Sequence, residues 1–165
     1  MAQKVFESIY RAHRDYVYGF ALRLTGFDPD AAEELTQESF YRAFVALPRF
    51  RGDCDVRTWL CQIMKHTFYK QLRKARTRQR AALRAGEAAA QADPHAVFER
   101  ESLYRAALAE IGRMKPKQRD VVVLRLFSGL SFAQIAAALH ISENSAKVIY
   151  HRARVALQKK LEQLP

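Results

Sequence analysis

The chemistry-bearing residues of this chain are bases and aromatics. Between residues 57 and 84 lie nine Lys and Arg (Arg57, Lys65, Lys70, Arg73, Lys74, Arg76, Arg78, Arg80, Arg84) and no Asp or Glu. Phe50, Trp59, Phe68 and Tyr69 are interleaved with the first of them. Cations along a backbone with bases stacked on rings is how single-stranded nucleic acid is held. Trp59 and Phe68, at helical spacing, serve a core equally well, so Trp59 is expected to be mostly buried with an edge available. A second basic surface lies near the C-terminus, where Asn144, Ser145, Lys147, Val148, His151, Arg152 and Lys159 fall on one helical face with no acid between Asn144 and Leu161. Such a face suits a major groove, with base edges read near the helix start and phosphates held by the flanking bases. Val148 either touches a thymine methyl or covers the neighbouring helix.

Acids gather at one place. Asp28, Asp30, Glu33, Glu34 and Glu38 stand at the head of a helix, where carboxylates favour the positive end of the dipole. Glu34, Gln37 and Glu38 lie on a different side from the Leu35 and Phe44 stripe, forming either a docking patch for a basic partner or a solvated face.

The whole chain carries the same sign. With 28 Lys and Arg against 17 Asp and Glu, its formal net charge is +11, the electrostatic footprint of a protein that meets a polyanion. Hydrophobic residues make up 49%, enough for a core and unlike a disordered tail. No apolar run is long enough to span a bilayer, and the start MAQKVFE lacks a secretory segment, so a cytoplasmic protein without membrane insertion is expected. Cys54 and Cys61 match neither zinc nor redox spacing and read as reduced thiols. A nuclease or nucleic-acid-modifying enzyme would need a carboxylate cluster on the basic face, a metal set or a phosphate-cradling glycine loop, and the sequence offers none of these. No catalytic residue, metal or cofactor is expected.

These surfaces must be positioned by helices. Apolar residues recur at three and four from Phe6 to Leu24, from Ala32 to Leu47 and from Trp59 to Leu72. They are separated by the turn chemistry of residues 25–30 and the Gly- and Asp-containing loop 51–55. Residues 76–96 hold little to bury and read as a flexible linker, although Ala and Arg suit parts of it to a helix. Beyond it, Leu103 to Ile111 form one helix, and Pro116 opens another that ends at Gly129. Ser131 and Gln134 form a capping box before Ile135, Ala136 and Leu139. His140-Ile141 turns the chain, and Ser142 caps a helix whose buried face is Ala146, Ile149, Tyr150, Ala153 and Leu157. No β-alternating run occurs. The expectation is an all-α protein of two small helical domains, 1–75 and 97–165, joined by the linker 76–96, with a helix-turn-helix in the second.

In this order the segments resemble the sigma-70 family of bacterial transcription initiation factors, in its compact extracytoplasmic-function (ECF) group. DAAEELTQESFYRAF (30–44) is similar to the family's core-binding segment, and FRGDCDVRTWL (50–60) to its minus-ten reader. MKPKQRDVVVLRLFSGLSFAQIA (114–136) and ISENSAKVIYHRAR (141–154) are similar to its fourth region. The resemblance implies that Glu34, Leu35, Gln37 and Glu38 dock on the clamp helices of the largest RNA polymerase subunit. It implies that Arg51, Asp53, Arg57 and Trp59 take a base flipped from the melted minus-ten strand of promoter DNA, with Lys65, His66, Lys70 and Arg73 following on the helix. Ser145, Lys147, Val148, His151 and Arg152 would meet the minus-thirty-five element. His66 stands where the family usually has Asn, Lys70 where Asp is frequent, and Val148-Ile149 where Ser-Arg is more common, so a promoter sequence does not transfer. The resemblance also implies an anti-sigma factor as partner. A stand-alone helix-turn-helix regulator is the alternative; it would leave Glu34, Gln37 and Glu38 idle.

Overall fold

The computed structural model describes residues 1–86 and 99–165; the rest of the expected linker and the first residues of the expected second domain lie outside them. Among the described residues every long element is a helix: α1 Ala2–Leu24, α2 Pro29–Ala46, α3 Val56–Arg84, α4 Glu99–Arg113, α5 Pro116–Leu126, α6 Phe132–Leu139 and α7 Glu143–Glu162, with one 3-10 turn at Leu47–Arg49. This is the all-α architecture expected.

Side-chain oxygens set where the helices begin. Asp28 accepts from the Asp30 and Ala31 amides at 3.1 Å each, with Pro29 at the first helical position of α2. Asp55 accepts from the Thr58 amide at 2.9 Å and the Thr58 hydroxyl at 2.7 Å to start α3. At α6 the capping box is complete: the Gln134 amide donates to Ser131 Oγ at 3.1 Å, and the Ser131 amide to Gln134 Oε1 at 2.8 Å. Ser142 takes the Ser145 amide at 3.0 Å to start α7. The turn between the last two helices needs a left-handed residue, and His140 supplies it at φ 55°.

Packing follows the apolar stripes. Val17, Phe20, Ala21 and Leu24 of α1 meet Ala32, Leu35, Phe40 and Ala43 of α2 and Leu60, Cys61 and Met64 of α3. Edge-to-face rings extend this core outward, Phe6 against Phe40 and Phe44 at 6.3 and 5.1 Å, and Tyr10 against Phe40 at 4.8 Å. In the C-terminal half, Ile111, Val121 to Leu124, Leu130, Ile135, Ala146, Ala153 and Leu157 are buried. The helix-turn-helix of α6 and α7 packs on α5.

One sequence expectation needs adjustment: Phe44, on the apolar stripe of α2, lies at the surface, 45% exposed. The third helix runs on into the expected linker as far as Arg84, in keeping with the helix propensity of Ala and Arg there. Ile111, Val121 and Phe127 belong to the same core as Phe20 and Leu60.

Leu35, 1% exposed, is pinned at the centre of the N-terminal core. Leu35→Ala should cost about 2–5 kcal/mol of unfolding free energy, read by denaturant titration of the purified chain.

Candidate nucleic-acid interface

The face expected to read upstream duplex is the outer face of α7. Ser145, Lys147, Val148, His151 and Arg152 are all exposed there, one turn or two from the helix start. Lys147 pairs loosely with Glu143 at 3.4 Å, and the Ser142 hydroxyl donates to Ser145 Oγ at 2.8 Å. Val148, 38% exposed, does not cover the neighbouring helix but presents its methyls to solvent. The small buried residues Ala146 and Ala153 bring α7 onto its neighbours and leave the basic row outward.

The expected single-strand surface comprises loop 50–55 and the first half of α3. Phe50 lies against Trp59 with ring centroids 4.7 Å apart and planes tilted by 34°. Beside them opens a cleft of about 330 Å³ whose lining includes Arg51, Asp53, Cys54, Trp59 and Gln62. Trp59 is half-buried, one part packed and one part lining the cleft. Arg57 stands over the Tyr16 ring at 4.3 Å. His66, Lys70 and Arg73 are exposed; partial burial, with the adjacent Lys65, Arg119 and Arg73 charges, lowers the His66 pKa and favours a neutral ring.

Lys65 is elsewhere. Its side chain is fully buried, and Nζ lies 3.1 Å from Asp120 Oδ2 of α5. This corrects the expectation of a DNA-facing lysine: α5 covers it. Burial lowers its pKa, and the Asp120 charge opposes that shift. The other wall of the cleft was also not foreseen. Ala137, Ala138 and His140, from the helix-turn-helix, line it opposite Arg51 and Trp59. Sequence periodicity marks Asp120 only as an acid on a helix, so the pairing had no local signal.

The face of α2 expected to dock a partner has a different character. Glu34 and Gln37 are exposed, with Gln37 donating to Glu33 at 3.2 Å. Glu38 is tied to Arg42 at 2.8 Å. Leu35 is a core residue instead of a surface contact, a second correction, because it shares the buried stripe with Ala32 and Ala43. A groove of about 480 Å³ runs beside Glu34 and Glu38, and its far wall carries Lys74 and Arg78 of α3. The patch is therefore acidic on one wall and basic on the other.

Cys54 and Cys61 are free thiols. Cys61 is buried, donates to the Tyr16 hydroxyl at 3.8 Å, and is pushed by that burial up to about 11. Among the described residues no group of three His, Cys, Asp or Glu could hold a metal ion, and no helix is long and apolar enough to cross a membrane.

The sequence matches the family descriptions Sigma-70 region 2 over residues 9–78 and Sigma-70 region 4 over residues 104–157. It is 31% identical over 155 residues to the ECF RNA polymerase sigma factor SigC of Mycobacterium tuberculosis, covering 93% of this chain and 82% of that protein. The chain belongs to the sigma-70 family, ECF group. RNA polymerase sigma factor YlaC of Bacillus subtilis is 29% identical over 158 residues, 94% of this chain and 91% of that one. Among solved structures, CnrH in complex with the cytosolic domain of CnrY shares the fold at TM-score 0.63 and 21% identity, covering 97% of this chain and 89% of that chain. The sigma factor RpoE, in complex with the anti-sigma factor NepR from Bartonella quintana, does so at 0.61 and 24%, covering 98% and 99%.

Two outcomes are expected. Replacing Lys147 and Arg152 of this ECF family member with Ala should weaken duplex binding and lower the slope of log affinity against log salt by about two, measured by anisotropy across ionic strengths. The second concerns Asp55. Its burial works to raise the pKa, yet bonds from the Thr58 amide, the Thr58 hydroxyl and Gln134 outweigh that and hold it below the ordinary carboxylate range. A depressed folded-state pKa contributes stability above the ordinary value and loses it as pH falls through the depressed one. Asp55→Asn, which keeps a capping oxygen, should flatten the acid limb of stability below about pH 4, followed by denaturant melts.

Proposed function

We propose that this chain is an ECF-type sigma factor that binds RNA polymerase core and directs promoter-specific initiation, acting in the cytoplasm without catalysis of its own. Residues 1–75 form the core-binding and minus-ten unit, 76–96 the tether, and 97–165 the minus-thirty-five unit. Similarity to named sigma factors along nearly the whole chain supports this reading, since it embraces both units together. Glu34, Gln37 and Glu38 grip the polymerase clamp helices. Arg51, Asp53, Arg57 and Trp59 hold an unstacked base in the cleft while His66, Lys70 and Arg73 follow the strand backbone; unstacking costs a few kcal/mol, offset by pocket and stacking contacts. Ser145, Lys147, Val148, His151 and Arg152 seat the upstream duplex. Core polymerase sets the two units at the promoter spacing, so weak individual contacts act together. An anti-sigma protein that covers these surfaces belongs to the same proposal, in keeping with the RpoE–NepR complex.

Run-off transcription with purified core enzyme on a promoter library tests the assignment; RNA starting at defined sites is the expected result. Charge reversal at Glu34 and Glu38 should weaken core binding at least about tenfold, on the scale of like-charge juxtaposition at an interface, with the circular dichroism spectrum unchanged. DNA binding without any capture of core would leave a stand-alone regulator.

A further inference from the structure

The orientation of α7 is fixed by what it buries. Ala146, Ala153 and Leu157 are in the core, Ile149 and Tyr150 pack against it, and Tyr150 meets Phe132 edge to face with ring centroids 5.5 Å apart. At roughly 3.6 residues per turn, Val148 stands about 200° round the helix from Ala146 and about two and a half turns from Leu157, so it points away from that seam. It is 38% exposed, on the second turn, with exposed Asn144 one turn before it and exposed His151 and Arg152 one turn after. The crest of the outward face near the start of α7 is therefore aliphatic, set among hydrogen-bonding and cationic groups.

What such a crest can recognise is narrow. In the major groove every base pair offers hydrogen-bonding atoms, and the one apolar group on offer is the C5-methyl of thymine. Pressed against any other base edge, Val148 strips water from donors and acceptors and returns no partner. Against a methyl it buries apolar surface on both sides. Branching at Cβ holds the valine rotamer in a helix, so its methyls are in place before DNA arrives and little entropy is lost on contact. Attraction to one base and rejection of the others act in the same direction, which is what selectivity requires.

We infer that Val148 is a specificity-determining residue of the upstream surface: it reads the C5-methyl of one thymine in the duplex, while Lys147 and Arg152 hold the DNA around it. The inference rests on the duplex-binding role of α7 proposed above. Recognition through a methyl has a further consequence. A 5-methylcytosine at that place presents the same group, so methylation partly restores a site that plain cytosine spoils.

The test uses the full-length chain and a pool of DNA duplexes with a randomised centre, from which the tightest binder is recovered, sequenced and labelled for anisotropy. Replacing its thymines one at a time by deoxyuridine, which removes only the methyl, should weaken binding roughly fourfold at one position and little elsewhere. At that position 5-methylcytosine paired with guanine should bind better than cytosine. Val148→Ala should make thymine and deoxyuridine equivalent there. Val155→Ala, which trims a similarly exposed valine on the same side about two turns farther along, should leave the difference intact. Ala favours a helix more than Val does, so neither change threatens α7. Methyl sensitivity at no thymine, or sensitivity that survives Val148→Ala, would overturn the assignment. Lys147→Ala with Arg152→Ala separates it from the reading beneath it. If the pool yields no preferred duplex, or if that pair leaves affinity unchanged, α7 does not read duplex and both fail. If the pair weakens binding while every thymine methyl is silent, only the role of Val148 fails.

Discussion

A chain with 28 basic and 17 acidic side chains cannot pair its charges, and where it spends its acids decides which cationic surfaces stay free. Asp28 and Asp55 are committed to helix starts, Asp120 to Lys65, Glu110 to Arg113 and Lys160, and Glu38 to Arg42. None falls within residues 57–84, and the upstream face of α7 has only Glu143 at its edge. The excess positive charge is therefore segregated onto surfaces instead of being diluted over the molecule, which favours binding a polyanion while the acids hold the helices in place.

Much of the fold is written locally. Helix starts at Asp28, Asp55, Ser131 and Ser142 and the left-handed turn at His140 all depend on a few neighbouring residues; the Ser131 capping box, the Ser142 cap and a turn at His140-Ile141 were legible as residue types at fixed offsets, while the Asp28 and Asp55 caps come from the structure. The outward row on α7 was equally legible, because an acid-free helical face with Ala at the packed positions has one way to sit. What periodicity does not carry is which surface meets which at long range. Lys65 looks like its neighbours Lys70 and Arg73 in a basic run, and only the approach of α5 separates it from them. Leu35 sits amid docking residues in sequence, yet one helical step turns it from the Glu34 side into the core. Helix within the linker was legible from its Ala and Arg, but not how far α3 would run, because propensity persists where the burial signal has ended.

The two surfaces proposed to meet DNA differ in how they are built, and the difference fits the states of DNA they would meet. The α7 face projects from a short, tightly capped pair of helices and needs no rearrangement to enter a groove. The cleft beside Trp59 is formed by a loop against a long helix, and its second wall belongs to the other half of the chain. A groove of duplex DNA is always present to be read, whereas an unstacked base exists only after melting, so a surface for the latter has nothing to hold until that step.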